Sequence, residues 1–193
     1  MHLYAFRPGM RRVRVALAAG AAVLLLGALA APKAGATSAT ANLTAGSLAF
    51  VSAPPAVSFT ATLNGTNQAV PATQPLDVSD ATGSGNGWNI TATSTLFTSG
   101  AHTIAATATT IPSQPSVACD TNVTCTTATT NVTYPYSLPA AATAPTATQM
   151  FNATANTGMG DQTVTPTWTL TIPGNTYAGN YTSTWTLSLV SGP

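Results

Sequence analysis

The sequence predicts an all-β fold: a single β-sandwich domain of many short antiparallel strands, after an N-terminal leader. Three observations predict it. Apolar residues alternate strictly with threonines at Val164, Pro166, Trp168, Leu170 and Ile172, and again along Tyr181, Ser183, Trp185, Leu187 and Leu189. Period two marks a half-buried strand, because successive side chains point to opposite faces. Clusters of Gly, Pro and Asn punctuate such runs throughout the chain, which is turn chemistry. After residue 36, no stretch sustains a helical period with good helix formers; Thr, Asn and Gly are poor ones.

The leader is read from its charges. Arg7, Arg11, Arg12, Arg14 and Lys33 are the only basic side chains apart from histidine. An apolar run from Val15 to Ala31 follows Arg14, and Ala34-Gly35-Ala36 closes it. A basic start, an apolar run and an A-x-A site describe a secretory signal peptide over residues 1–36. A membrane anchor is the weaker reading, since a spanning helix needs about 20 apolar residues. The mature domain is then 37–193, with no membrane span.

The elements follow in order. Leu48 and Phe50 mark a first strand, which Pro54-Pro55 ends. Val57, Phe59, Ala61 and Leu63 alternate, so a second strand is expected there, with Asn64-Gly65 as a turn signal. Gln68 to Gln74 reads as a short strand or a loop. Leu76 and Val78 flank Asp77 in a clear strand. Trp88, Ile90, Ala92, Ser94 and Leu96 alternate with Asn and Thr in another. Thr103–Thr110 alternates loosely. Residues 117–119 and 124–134 read as paired strands pinned by a Cys119–Cys125 disulfide, since an even cysteine count in an exported chain favours one. Pro139–Pro145 reads as a loop and Met150–Ala155 as a short strand. Residues 164–172 and 181–189 then form a hairpin around Pro173-Gly174-Asn175.

Charge excludes several classes of partner. Beyond Lys33 there is no Lys, Arg or Glu, and the carboxylates are Asp77, Asp80, Asp120 and Asp161. Nucleic-acid affinity comes mainly from Lys and Arg on phosphates, so no nucleic acid is expected. A polybasic membrane patch is excluded for the same reason. General acid–base catalysis needs tuned titratable groups, and the mature chain offers His102 and four aspartates. No enzyme and no cofactor are expected. Seven Asn-x-Ser/Thr triplets read as a by-product of Asn- and Thr-rich composition, not as glycosylation sites.

Two blocks carry a resemblance. Leu76-Asp-Val-Ser-Asp80-Ala-Thr-Gly83-Ser-Gly85-Asn-Gly87-Trp88-Asn-Ile90-Thr resembles the first motif of the WxL domain family. Tyr181-Thr-Ser-Thr-Trp185-Thr-Leu187-Ser-Leu-Val-Ser-Gly-Pro193 resembles its C-terminal motif. Ile90 stands at a Leu position, and Trp185 lies nearer Tyr181 than in the commonest pattern, so the chain resembles a divergent member. The resemblance implies a bacterial surface domain of the Gram-positive type, attached non-covalently to the cell wall, with peptidoglycan as ligand. Trp88, Trp185 and Leu187 inherit the signature role, with Trp168 as a further ligand-contact candidate. Asp80, Gly83, Gly85, Gly87, Tyr181 and Pro193 are motif positions of structural character.

Each candidate has a plainer reading. Trp can stack on a sugar ring, but a Trp on the apolar face of a strand is more often core. That reading is preferred for Trp168 and Trp185. Trp88, beside the glycine loop, is the tryptophan best placed to meet ligand. Asp77 and Asp80 form a thin set for a hard cation, and Asp80 before the glycines is more simply a turn residue. The alternative function is a structural or adhesive subunit that pairs with itself or other exported proteins through strand edges.

Overall fold

The computed structural model describes residues 35–193. The expected leader over 1–36 lies outside the described residues, but for its last two. The unit from Asn42 to Pro193 is all-β. Its strands are β1 (Leu48–Phe50), β2 (Gln68–Thr73), β3 (Leu76–Asp80), β4 (Trp88–Thr95), β5 (Thr98–Ser99), β6 (His102–Thr103) and β7 (Thr109–Ile111). They continue as β8 (Ser116–Cys119), β9 (Tyr136–Ser137), β10 (Ala140–Ala141), β11 (Thr148–Ala153), β12 (Gly160–Thr165), β13 (Thr167–Ile172) and β14 (Trp185–Ser191).

Three four-stranded sheets and one small ribbon contain them. The orders are β1-β3-β12-β8, then β2-β13-β7-β9, and a third sheet centred on β4; β5 and β6 pair separately. In the third sheet β14 flanks β4 on one side, and β11 and β10 flank it on the other. The first two sheets are halves of one bent ribbon. Gln68 faces Ile172, Leu76 faces Val164 and Asp80 faces Gly160 in one unbroken antiparallel register. Pro75 and Pro166 sit at the bend, where the Gln74 amide donates to the Pro166 carbonyl at 3.1 Å. Proline cannot donate to a ladder, so it suits a corner where strands change sheet.

The core lies between that ribbon and the third sheet. Leu76, Val78, Val164 and Trp168 from the ribbon meet Trp88, Ile90, Ala92 and Phe151 from the third sheet, all fully buried. A second cluster, Ile104, Ala108, Leu170 and Ile172, fills the far end. A register shift between Gln149 and Phe151 places both Met150 and Phe151 inside, as a bulge does.

Several expectations are corrected. Residues 164–172 are two strands, because Pro166 divides them between sheets. The terminal hairpin does not form: β13 pairs with β2 and β7, while β14 pairs with β4. Residues 57–63 form no strand; Val57 and Phe59 pack on the core, but the backbone has no ladder. Residues 124–134 also form none, and β8 pairs with β12 instead. In each case alternation reported burial of one face, which does not require a ladder partner.

The Cys119–Cys125 disulfide is present, with Cα atoms 5.6 Å apart. It closes the turn after β8. Replacing both cysteines by serine should cost about 2–3 kcal/mol, the chain-entropy value for so short a loop. The urea midpoint of the double variant against the parent measures it.

Candidate functional site

The two motif blocks come together in the third sheet. β4 and β14 are antiparallel neighbours, with Trp88 opposite Ser191 and Trp185 opposite Ser94. Beyond the ladder, the Gly192 amide donates to the Gly87 carbonyl at 3.0 Å. The Asn89 side-chain amide donates to the Gly192 carbonyl at 2.8 Å. Pro193 is exposed just past this tie.

The glycine loop is a positioning device for Trp88. One Asp80 carboxylate oxygen accepts from the Thr82 amide at 3.0 Å and its hydroxyl at 2.7 Å. Gly83, Gly85 and Gly87 all have φ between 63° and 75°, which favours glycine. A side chain at Gly87 would also collide with the Ala153 carbonyl. The loop thereby brings β4 against the 153–158 turn. Trp88 is 0% exposed. Its indole N–H donates to the Gly158 carbonyl at 2.9 Å, and its ring lies 5.8 Å from Phe151. The expectation that Trp88 is best placed to meet ligand is therefore corrected, since the ring is sealed on every side.

Trp168 is sealed too. Its indole N–H donates to the Gln74 side-chain oxygen at 2.9 Å. The Gln74 amide group donates to the Pro55 carbonyl at 2.7 Å. Gln74 thus ties the ribbon's corner to both Trp168 and the 54–57 segment. Trp185 reaches Trp168 from the opposite sheet, ring centroids 4.8 Å apart and nearly perpendicular. Phe59 and Phe97 flank its other sides at 6.3 Å each.

Trp185 and Leu187 are half-buried and line a groove of about 540 Å³. Pro54–Val57, Phe97 and Tyr181 also line it. A second cleft of about 280 Å³ lies beside it, and Tyr181 lines both. There His102 stacks on Tyr177 at 4.0 Å, the planes 15° apart. Tyr177 is 65% exposed, and its carbonyl accepts from the Tyr181 hydroxyl at 3.1 Å. The sequence shows His102 only as a lone titratable group and does not bring it to Tyr177. The one signal was an aromatic in a turn segment, between Gly174 and Gly179.

Electrostatics around the domain are one-signed. The described residues include no Lys or Arg. Burial raises the Asp77 carboxyl above its ordinary range, and Asp120 and Asp161 add to the shift. Burial also pushes the Tyr134 phenol up to about 12, which keeps it a neutral donor to the Met150 carbonyl at 2.8 Å. Asp77 and Asp80 point to opposite faces of β3, so they do not converge on a cation. Among the described residues no group of three or more His, Cys, Asp or Glu side chains is arranged to hold a metal. Asn152 is fully buried, and its side-chain oxygen accepts from the Asn131 amide at 3.0 Å and the Thr130 hydroxyl at 2.8 Å. That position is inaccessible to glycosylation.

An all-β domain with two linked surface clefts, one walled by half-buried aromatics and one bearing a stacked exposed pair, is a binding module. Its two defining blocks are neighbouring strands of one sheet. The family model described as WxL domain surface cell wall-binding matches residues 36–193, and the chain belongs to that family. A cell-surface or cell-wall location and a wall-binding role follow from membership. A search of the curated proteins found no match, and neither did a search of the solved structures. No helix among the described residues is long and apolar enough to cross a membrane.

Proposed function

We propose that this chain is exported by residues 1–36 and that the 37–193 domain holds peptidoglycan non-covalently, without catalysis, on a Gram-positive type of wall. The observation that carries the reading is the stacked His102–Tyr177 pair beside a cleft. The C–H face of a sugar ring packs on such an aromatic surface, and stacking on His102 holds the Tyr177 ring in place before ligand arrives. Pre-ordering of this kind reduces the entropy cost of binding. Tyr177 sits on the segment leading into the C-terminal motif, and the Tyr181 hydroxyl bonded to its carbonyl links motif and platform. Trp185 and Leu187 belong to the adjoining groove, which shares Tyr181 with the platform's cleft. Trp88 and Trp168 serve by holding the sandwich together.

Retention on purified peptidoglycan tests this. Tyr177→Ala should weaken retention about tenfold, equal to 1.4 kcal/mol. Its melting temperature should match the parent's, because Tyr177 is mostly exposed. Retention by the parent should hold steady between low and physiological salt, since the domain offers no cationic side chain beyond Lys33 for an anionic wall. Undiminished retention of Tyr177→Ala would remove the platform from the binding site. A steep salt dependence would point to a basic partner protein.

A further inference from the structure

We propose that residues 39–45 of one copy add as a strand to the free edge of β14 in a second copy, filling the groove between β14 and Pro54–Val57. The argument begins with backbone groups. β14 bonds β4 through its even-numbered residues: the Thr95 amide donates to the Thr184 carbonyl at 2.9 Å, and Gly192 continues the same parity. In an antiparallel ladder alternate residues face away. Ser183, Trp185 and Leu187 therefore aim their N–H and C=O groups outward, and all three line the groove.

Among the described residues no strand pairs with that edge, although β1 lies near β14. Pro54 and Pro55, which also line the groove, have no N–H, and the Pro55 carbonyl is occupied by Gln74. Natural edge strands are usually blunted by charge or proline. β14 reads Trp-Thr-Leu-Ser-Leu-Val-Ser and has neither.

The donor is a strand-patterned arm without a strand's partners. Ala39, Ala41, Leu43 and Ala45 alternate with Ser38, Thr40, Asn42 and Thr44. Residues 35–47 are exposed throughout and have no regular structure. Leu43 is 93% exposed, an unfavourable place for a large apolar side chain unless something covers it. Asn42–Ala45 form no backbone hydrogen bond with the described residues, and pairing begins only at Gly46, whose amide donates to the Ala81 carbonyl. Inserted beside β14, the arm would turn its apolar side toward Trp185 and Leu187 and supply the missing ladder. Main-chain bonds then give affinity and Leu43 gives register. Arm and edge contain no ionised side chain, so approach of two like molecules meets no local repulsion there.

Donor and acceptor are different surfaces, so the contact is heterologous and runs head to tail. Sedimentation of the exported chain, without wall material, tests it independently of wall attachment. The parent should show dimers and higher species that grow with concentration. Leu43→Asp, which leaves the body of the fold untouched, should sediment as a monomer at the same concentrations and melt with the parent. A peptide of sequence Thr37–Ala45, in excess, should dissolve the parent's oligomers. A parent that stays monomeric to about 100 µM, far above micromolar affinity, would overturn the proposal, including in favour of the arm occupying its own copy's groove. Leu43→Asp assembling like the parent would overturn it equally.

Discussion

Trp88→Ala should cost about 3–5 kcal/mol, the range for truncating a buried Trp. The structure gives two independent reasons for the upper half of that range. The ring is fully buried among core side chains, including Phe151, so its removal leaves a large cavity where β4 begins, beside the 153–158 turn. The Gly158 carbonyl also loses its 2.9 Å donor in a buried place, and an unsatisfied buried acceptor adds about 1–3 kcal/mol. The turn cannot easily collapse into the space. Gly158 and Gly87 both occupy positive φ, and each backbone already lies so close to Ala153 that a Cβ at either position would collide with it. Since total stability for a domain is about 5–15 kcal/mol, the variant should melt at least roughly 10 °C lower. Trp88→Phe restores much of the volume but not the N–H. It should fall between the two, separating the cavity from the lost hydrogen bond. Thermal melts of the three proteins decide it; a Trp88→Ala variant that melts with the parent would mean the 153–158 turn is not part of the cooperative core. Wall retention should track the folded fraction in this series, unlike in Tyr177→Ala.

The contrast between Trp88 and Tyr177 shows what the sequence could and could not say. The β4 alternation from Trp88 to Ser94 was legible because one face is buried along its whole length. The same holds for Leu76 and Val78 in β3. Glycines 83, 85 and 87 were legible as a special turn, but their purpose was not. Flexibility near a tryptophan suggested an open mouth, whereas the positive φ angles serve close approach of two backbones. The platform was illegible because its halves come from the β5–β6 hairpin and the loop after β13. These segments are distant in sequence and meet only through the fold. The groove has the same character. Its walls, 54–57 and 185–187, share no local pattern. Pro166 was visible within an alternating run, and its missing N–H was the clue that the run changes sheet there.

The largest revision concerns Trp168 and Trp185, and it leads to the second large effect. As partners in a hairpin they would be side-by-side neighbours on one sheet. Here they face each other across the sandwich, at 4.8 Å and 69°, an edge-to-face geometry worth about 0.5–1.5 kcal/mol beyond area burial. Trp168→Ala should therefore cost about 3–5 kcal/mol. Trp185→Ala should cost less, because its ring is only half-buried. Their double variant should show a coupling of at least about 0.5 kcal/mol, since contacting residues depart from additivity by that much or more. Gln74 separates the two arrangements. It is the acceptor for the Trp168 N–H and also donates to Pro55. Gln74→Leu keeps a similar shape but leaves the buried indole N–H and the Pro55 carbonyl without protein partners. It should lose about 1–3 kcal/mol for the unpaired indole donor alone, and a Trp168→Phe background should erase most of that part of the loss. Urea titrations of this set measure every term. Strict additivity of the two Trp variants would show that the rings do not support each other across the sheets. An unchanged cost of Gln74→Leu in the Trp168→Phe background would place Gln74's contribution at Pro55 alone, and the corner would then be held by the 54–57 segment and not by the tryptophan.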